Sequence, residues 1–156
     1  MRKIQFLVAH SLLVVMLLIA GVTTCAAGDE PGEVKLESYS SHDANSLTGP
    51  INKIQLQALA GNKVEMKGFF SDGGCITAEK MRVKSTEKLE DGVTVVNMVL
   101  ELEGKPCKAM FMKEFQAVLQ MPALGTYKVR FWLNELYYPE GEKLRDEQVV
   151  TVCTCK

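Results

Sequence analysis

The side chains able to do chemistry are few and unevenly placed: five cysteines, at positions 25, 75, 107, 153 and 155, and two histidines, His10 and His42. The closest pair lies in Cys153-Thr154-Cys155-Lys156. On an extended segment these two thiols project to one face with Cα atoms about 6.5 Å apart, near the upper limit for a mutual bridge. A strained small-ring disulfide there would be oxidising and open to exchange, and Lys156 would favour a thiolate. Cys107, Met110, Met112 and the C-x-C pair also offer soft ligands of the kind that suit Cu(I). The plainer reading of Cys153 and Cys155 is a staple at a chain end. The scarcity of histidine excludes more than the cysteines suggest. His10 sits in an apolar leader and His42 in a polar segment, so no Ser-His-Asp or Cys-His arrangement and no type-1 copper site can be assembled in the remainder. Glu101 and Glu103 lie two apart on one polar strand face, where solvation is the default. Asp72-Gly73-Gly74 lacks the Lys-Ser/Thr and the helix of a phosphate-binding loop. No metal, cofactor or catalytic residue is assigned, and the chain is expected not to be an enzyme.

Positioning begins with a leader. Met1-Arg2-Lys3, the apolar run Phe6 to Val22 and the small residues Thr23-Thr24-Cys25-Ala26-Ala27 have the layout of a secretory signal. The run contains His10 and Ser11 and is short for a bilayer core of about 30 Å. Val22-Thr23-Thr24-Cys25 is similar to a bacterial lipobox, with Thr24 departing from the usual Gly or Ala, and would place a lipid on Cys25; the other fate is ordinary cleavage after Ala27. Residues 1–27 are therefore read as signal. Residues 28–50, rich in Gly, Ser, Asp and Glu, are read as a flexible tether carrying a solvated His42. Residues 51–156 form the domain, long enough for one core. The chain holds 18 basic and 19 acidic side chains, and two of the basic ones, Arg2 and Lys3, fall in the leader. The mildly acidic remainder argues against nucleic acid and against an anionic membrane as partners, apart from contact through an N-terminal lipid.

From Ile51 onward the hydrophobic period is two. Ile54, Leu56 and Ala58 alternate with Gln55 and Gln57 before a Gly61-Asn62 turn. Val64, Met66 and Gly68 lead to Phe69-Phe70 and an expected loop at Ser71-Asp72-Gly73-Gly74. Met81 and Val83 precede a polar break at Glu90-Asp91-Gly92. Val96, Met98, Leu100 and Leu102 share a face up to Gly104-Lys105-Pro106. Phe115, Ala117, Leu119 and Met121 form another run, and Tyr127, Val129, Phe131 and Leu133 the next, with the last strand expected from Gln148 to Cys155. Cys107 to Gln120 is the best helical candidate, but it holds two strand alternations and is read as strand, with room for a short turn near Met112 to Glu114. Seven or eight short strands define an all-β sandwich or barrel.

The pattern Val64-x-Met66-x-Gly68-Phe69, Asp72-Gly73-Gly74-Cys75, Pro106-Cys107, Phe115-x-Ala117-x-Leu119 and Leu124-Gly125-Thr126-Tyr127-x-Val129 resembles a group of secreted bacterial domains. These are small immunoglobulin-like antiparallel sandwiches, often lipoproteins, of generally unassigned role. The resemblance covers about Lys63 to Leu133 and implies a fold and a Cys75 to Cys107 bridge, with almost no implication for function. The chain departs from the pattern after Leu133, where Tyr137-Tyr138-Pro139-Glu140-Gly141 adds a hairpin-like element. With Cys25 lipidated or removed, four cysteines remain and three connectivities are open, including crossed sets that tie Cys75 and Cys107 to the terminal pair. The expected role is binding or structural, in an exported protein of the cell envelope, periplasmic or lipid-anchored, with an unknown protein or envelope component as partner. The candidate recognition residues are Trp132, on the face opposite Phe131, and Tyr137 and Tyr138 in the adjoining loop. The alternative is an envelope thiol-redox or Cu(I)-handling protein acting through Cys153 and Cys155.

Overall fold

The computed structural model describes residues 32–44, 49–135 and 141–154. Six strands run β1 (Lys35–Asp43), β2 (Lys53–Leu59), β3 (Lys63–Lys88), β4 (Thr94–Gln120), β5 (Gly125–Asn134) and β6 (Glu142–Val152). The described residues contain no helix. The strands form one sheet in the order β2-β3-β4-β5-β6, with β1 added to β4. β3 and β4, of 26 and 27 residues, pair along nearly their whole lengths and serve both halves of the sheet, so eight strand segments result. The first halves of β3 and last residues of β4 are flanked by β2 and β1. At the other end of the ribbon β4 is flanked by β5, and β5 in turn pairs with β6.

The two halves fold onto each other around a single core. The rings of Phe115 on β4 and Phe131 on β5 stack at 5.2 Å between centroids, and both side chains are fully buried with Phe70, Met66, Met98 and Leu119. Strand β5 shows the expected alternation of buried and partly exposed residues from Tyr127 to Asn134. The start of β4 does not alternate: Val96, Met98 and Leu100 are buried in the core, and Val95, Asn97 and Val99, on the other face, are buried on a central strand flanked by β3 and β5. Gly68 is needed where it stands. A Cβ there would collide with the Lys53 carbonyl oxygen and lie 2.9 Å from the Phe115 ring, which fills the space that the glycine leaves.

Side chains close the two openings between the halves. Where β2 approaches β6, the buried Asp146 carboxylate accepts hydrogen bonds from the Ile54 amide at 2.9 Å and from the Lys53 ammonium at 3.0 Å. Where β1 approaches the second half of β3, Glu79 lies 3.2 Å from the Lys113 ammonium and beside Tyr39. Burial, and next the negative charge of Glu79, push the Tyr39 hydroxyl far above its ordinary pKa. The result is a nearly barrel-shaped mixed sheet.

Several expectations need correcting. The supposed tether holds a strand over Lys35–Asp43, whose Leu36 and Tyr39 flank the core, and Val34 just before it joins the core. His42 is therefore in the fold, exposed, with Nε2 3.3 Å from Glu114. The sheet is not wholly antiparallel, since β4 and β5 run parallel from Thr94/Tyr127 to Glu101/Asn134. Ser71 to Gly74 and Gly104 to Pro106 do not end strands; β3 and β4 continue through them with shifts of register. The last strand starts earlier than expected and stops at Val152, which leaves Cys153 beyond it. The turns at Gly61-Asn62 and Asp91-Gly92 are present. Gly61 and Asn62 take φ of 73° and 58°, a left-handed conformation that these two residue types tolerate best.

Candidate binding face

The outer face of the β3-β4-β5-β6 half holds Trp132. Register places Arg82, Val99, Trp132 and Leu144 in one row across the four strands. Trp132 is half-buried and its indole nitrogen donates to Asn97 Oδ1 at 3.0 Å, while the Asn97 amide donates to Ser85 Oγ at 2.9 Å. Asn97 is one of the few buried polar residues, so this bond satisfies a group that would be costly to leave alone. The Lys84 ammonium stands 5.7 Å from the indole centroid, a cation–π distance, and also pairs with Glu142. Two contacts therefore fix the ring, each held by a further partner, while part of it remains open to solvent.

Charge surrounds the ring in opposite-sign pairs. Arg82 bridges Glu101 at 2.7 Å and Glu142 at 3.4 Å, and Glu147 lies between Arg130 at 2.6 Å and Lys128 at 3.3 Å. The Arg130 hydrogen bond, assisted by Lys128, holds the Glu147 carboxyl below the usual carboxylate range. Two apolar side chains on β6, Leu144 and Val149, remain exposed on this face. At its end, Glu135 is paired with Lys143 at 3.4 Å and with Arg145.

The expected site residues separate in space. Cys75 and Cys107 are bonded to each other, with Cα atoms 5.5 Å apart, which removes both crossed connectivities. Cys153 is also disulfide-bonded, and its partner lies outside the described residues. Cys25, Cys155, Tyr137 and Tyr138 lie outside the described residues too, so Trp132 alone of the three recognition residues can be placed. The disulfide sits at the bend of the β3–β4 ribbon and Cys153 at the opposite end of the fold, after the Val152/Gly125 pair. Among the described residues no group of three or more His, Cys, Asp or Glu side chains could hold a metal ion. A cavity of about 130 Å³ on the other half is lined in part by Lys53 and Lys67, whose charges are met by Asp146 and Glu65, and by Glu114, which lies 3.3 Å from His42 Nε2.

Sequence reasoning missed the Asn97, Lys84 and Arg82 surroundings of Trp132. A signal existed in Val95-Val96-Asn97-Met98-Val99-Leu100, where a lone polar residue in an unbroken apolar run implies a partner within the covered face. Compared with family models, with curated proteins and with solved structures, the chain matches none.

Proposed function

We propose that this is an exported protein of the bacterial cell envelope, anchored through a lipid on Cys25, whose immunoglobulin-like sandwich binds a protein or another envelope component. Its role is binding or structural and not catalytic. The observation that carries the binding reading is Trp132, held open on a sheet face by Asn97 and Lys84 beside the exposed Leu144 and Val149. Aromatic rings with an apolar body and a polar tip, fixed in place before contact, bind at low entropic cost.

Export is supported by the leader pattern and by the Cys75–Cys107 bridge, because disulfides persist in oxidising compartments. The sandwich reading is supported by Tyr127, at the corner where the chain enters β5. Its hydroxyl donates to the Ala123 carbonyl four residues upstream at 2.7 Å, the bond made by the tyrosine corner of such sandwiches.

Two measurements test the proposal. Replacing Cys25 by Ser should move the protein from the membrane fraction to the soluble envelope fraction; unchanged processing and membrane association would overturn the anchor. Envelope components co-isolated with tagged wild type should be lost with Trp132→Ala at an unchanged urea midpoint. The binding reading fails if both proteins retain the same set.

A further inference from the structure

At the bend of the ribbon the pairs Gly73/Met110 and Cys75/Lys105 bracket a mismatch: β3 supplies Gly74 alone, while β4 supplies Pro106, Cys107, Lys108 and Ala109. The surplus stands out from the ladder as a large bulge. Lys105, Lys108, Ala109 and Met110 are exposed, Met110 at 81%. The Cys75–Cys107 bond ties this bulge back to β3. Just beside it Gly104, at φ 155°, runs so close that a Cβ would collide with the Cys75 carbonyl oxygen. The two strands are otherwise joined by ladder pairs on both sides of the bend, from Lys63/Gln120 to Gly73/Met110 and from Cys75/Lys105 to Lys88/Thr94. The bond is therefore not what aligns β3 with β4. It fixes the shape of the bulge.

We propose that Cys75–Cys107 is an exchange site for a dithiol reductant, and that its opening releases the Pro106–Ala109 bulge while the sheet stays folded. Cys75 is exposed and Cys107 half-buried, so an incoming thiolate reaches the Cys75 sulfur. Attack forms a mixed disulfide between the donor and Cys75, breaks the Cys75–Cys107 bond and expels Cys107 as a thiolate, which takes up a proton. The donor's second thiolate then attacks the donor sulfur of the mixed disulfide and expels Cys75 as a thiolate, which also takes up a proton. Two electrons pass from the donor, which becomes a disulfide, to the pair, which becomes two thiols. Lys108 follows the leaving Cys107, and Lys105 is the cross-strand partner of Cys75. Both cations favour the approach of one thiolate and the departure of the other.

The test uses the full chain in its native state, with graded dithiothreitol as the donor. Mass-tagging alkylation followed by peptide mapping reads Cys75 and Cys107, far-ultraviolet circular dichroism reads the sheet, and amide hydrogen exchange locates the change. Cys75 and Cys107 should be tagged while the sheet signal is intact, with faster exchange along β3 and β4 confined to residues 103–111, whatever happens around Cys153. Lys105→Glu combined with Lys108→Glu should slow tagging about threefold at low ionic strength, and the difference should shrink in high salt. Tagging that begins only as the sheet signal disappears, or faster exchange spread along β3 and β4, would overturn the proposal. An unchanged rate in the double variant would remove the lysines from it.

Discussion

Where β2 meets β6 the ladder gives way to a side chain, and Asp146 accepts the Ile54 amide that a strand carbonyl would otherwise take. Burial works to raise the Asp146 pKa, but the Ile54 amide, Lys53, Gln148 and the Glu147 amide outweigh it and hold the carboxyl below its usual value. A depressed folded-state pKa contributes stability above the unfolded value of about 3.9 and loses it as pH falls through the folded value. Asp146→Ala should cost about 1.5 to 3 kcal/mol near neutrality, the range for a hydrogen bond to a charged group. The gap between wild type and variant in urea midpoint should narrow at acid pH, and a gap independent of pH would remove the carboxylate from the closure. In the core, Phe131→Ala should cost about 3 to 5 kcal/mol, since it deletes a fully buried ring and leaves a cavity against Phe115. Gly68→Ala should cost about 1 to 3 kcal/mol through overpacking, because its new methyl meets backbone and not a flexible side-chain end.

At the scale of elements, legibility depended on whether the alternation ran unbroken. Tyr127 to Leu133 has no shift inside it, and its phase could be read directly from the residues. β1 could not be read that way. Val34 and Leu36 keep a period of two, but a bulge between Leu36 and Ser38 moves the next inward residue to Tyr39, so the pattern resembles an aperiodic polar linker. The same physics hid the length of β3, where shifts after Gly73, Ile76 and Val83 look like turns in the sequence. The last of these shifts also lies at Lys84, the cation over Trp132, a neighbourhood that no count of residues would give. The position of Trp132 on the face opposite Phe131 was legible, and its fixation by Asn97 across β4 was not, because that contact depends on parallel pairing. Deleting residues 33–44 provides a test. Loss of Val34, Leu36 and Tyr39 should cost at least about 3 kcal/mol, whereas removal of a tether would leave the urea midpoint unchanged. Replacing Cys75 and Cys107 together by Ala should cost about 2 to 5 kcal/mol, through the loop of sequence separation 32 released in the unfolded chain. Thiol labelling of Cys153 should be unaffected by that change.

The whole molecule has two unlike poles. One gathers the Gly61-Asn62 turn, the Leu89 to Val93 turn, Pro122, and both ends of the described fold at Gly32 and Cys153. The other holds the ribbon bend with its disulfide, the end of β1 at Ala44 where its amide reaches the Met112 carbonyl, and the Asn134/Glu142 pair that ends the β5–β6 ladder. This polarity changes the length of the leash. If residues 28–50 were a tether, a lipid on Cys25 would hold the domain on some two dozen residues of free chain. With β1 built into the sheet and Gly32 packed against Pro122, the span from Cys25 to Gly32 is bounded by the covalent chain alone at about 25 Å. A lipid on Cys25 would then keep the Gly32 pole within that distance of the headgroups and turn the disulfide pole toward whatever lies beyond them.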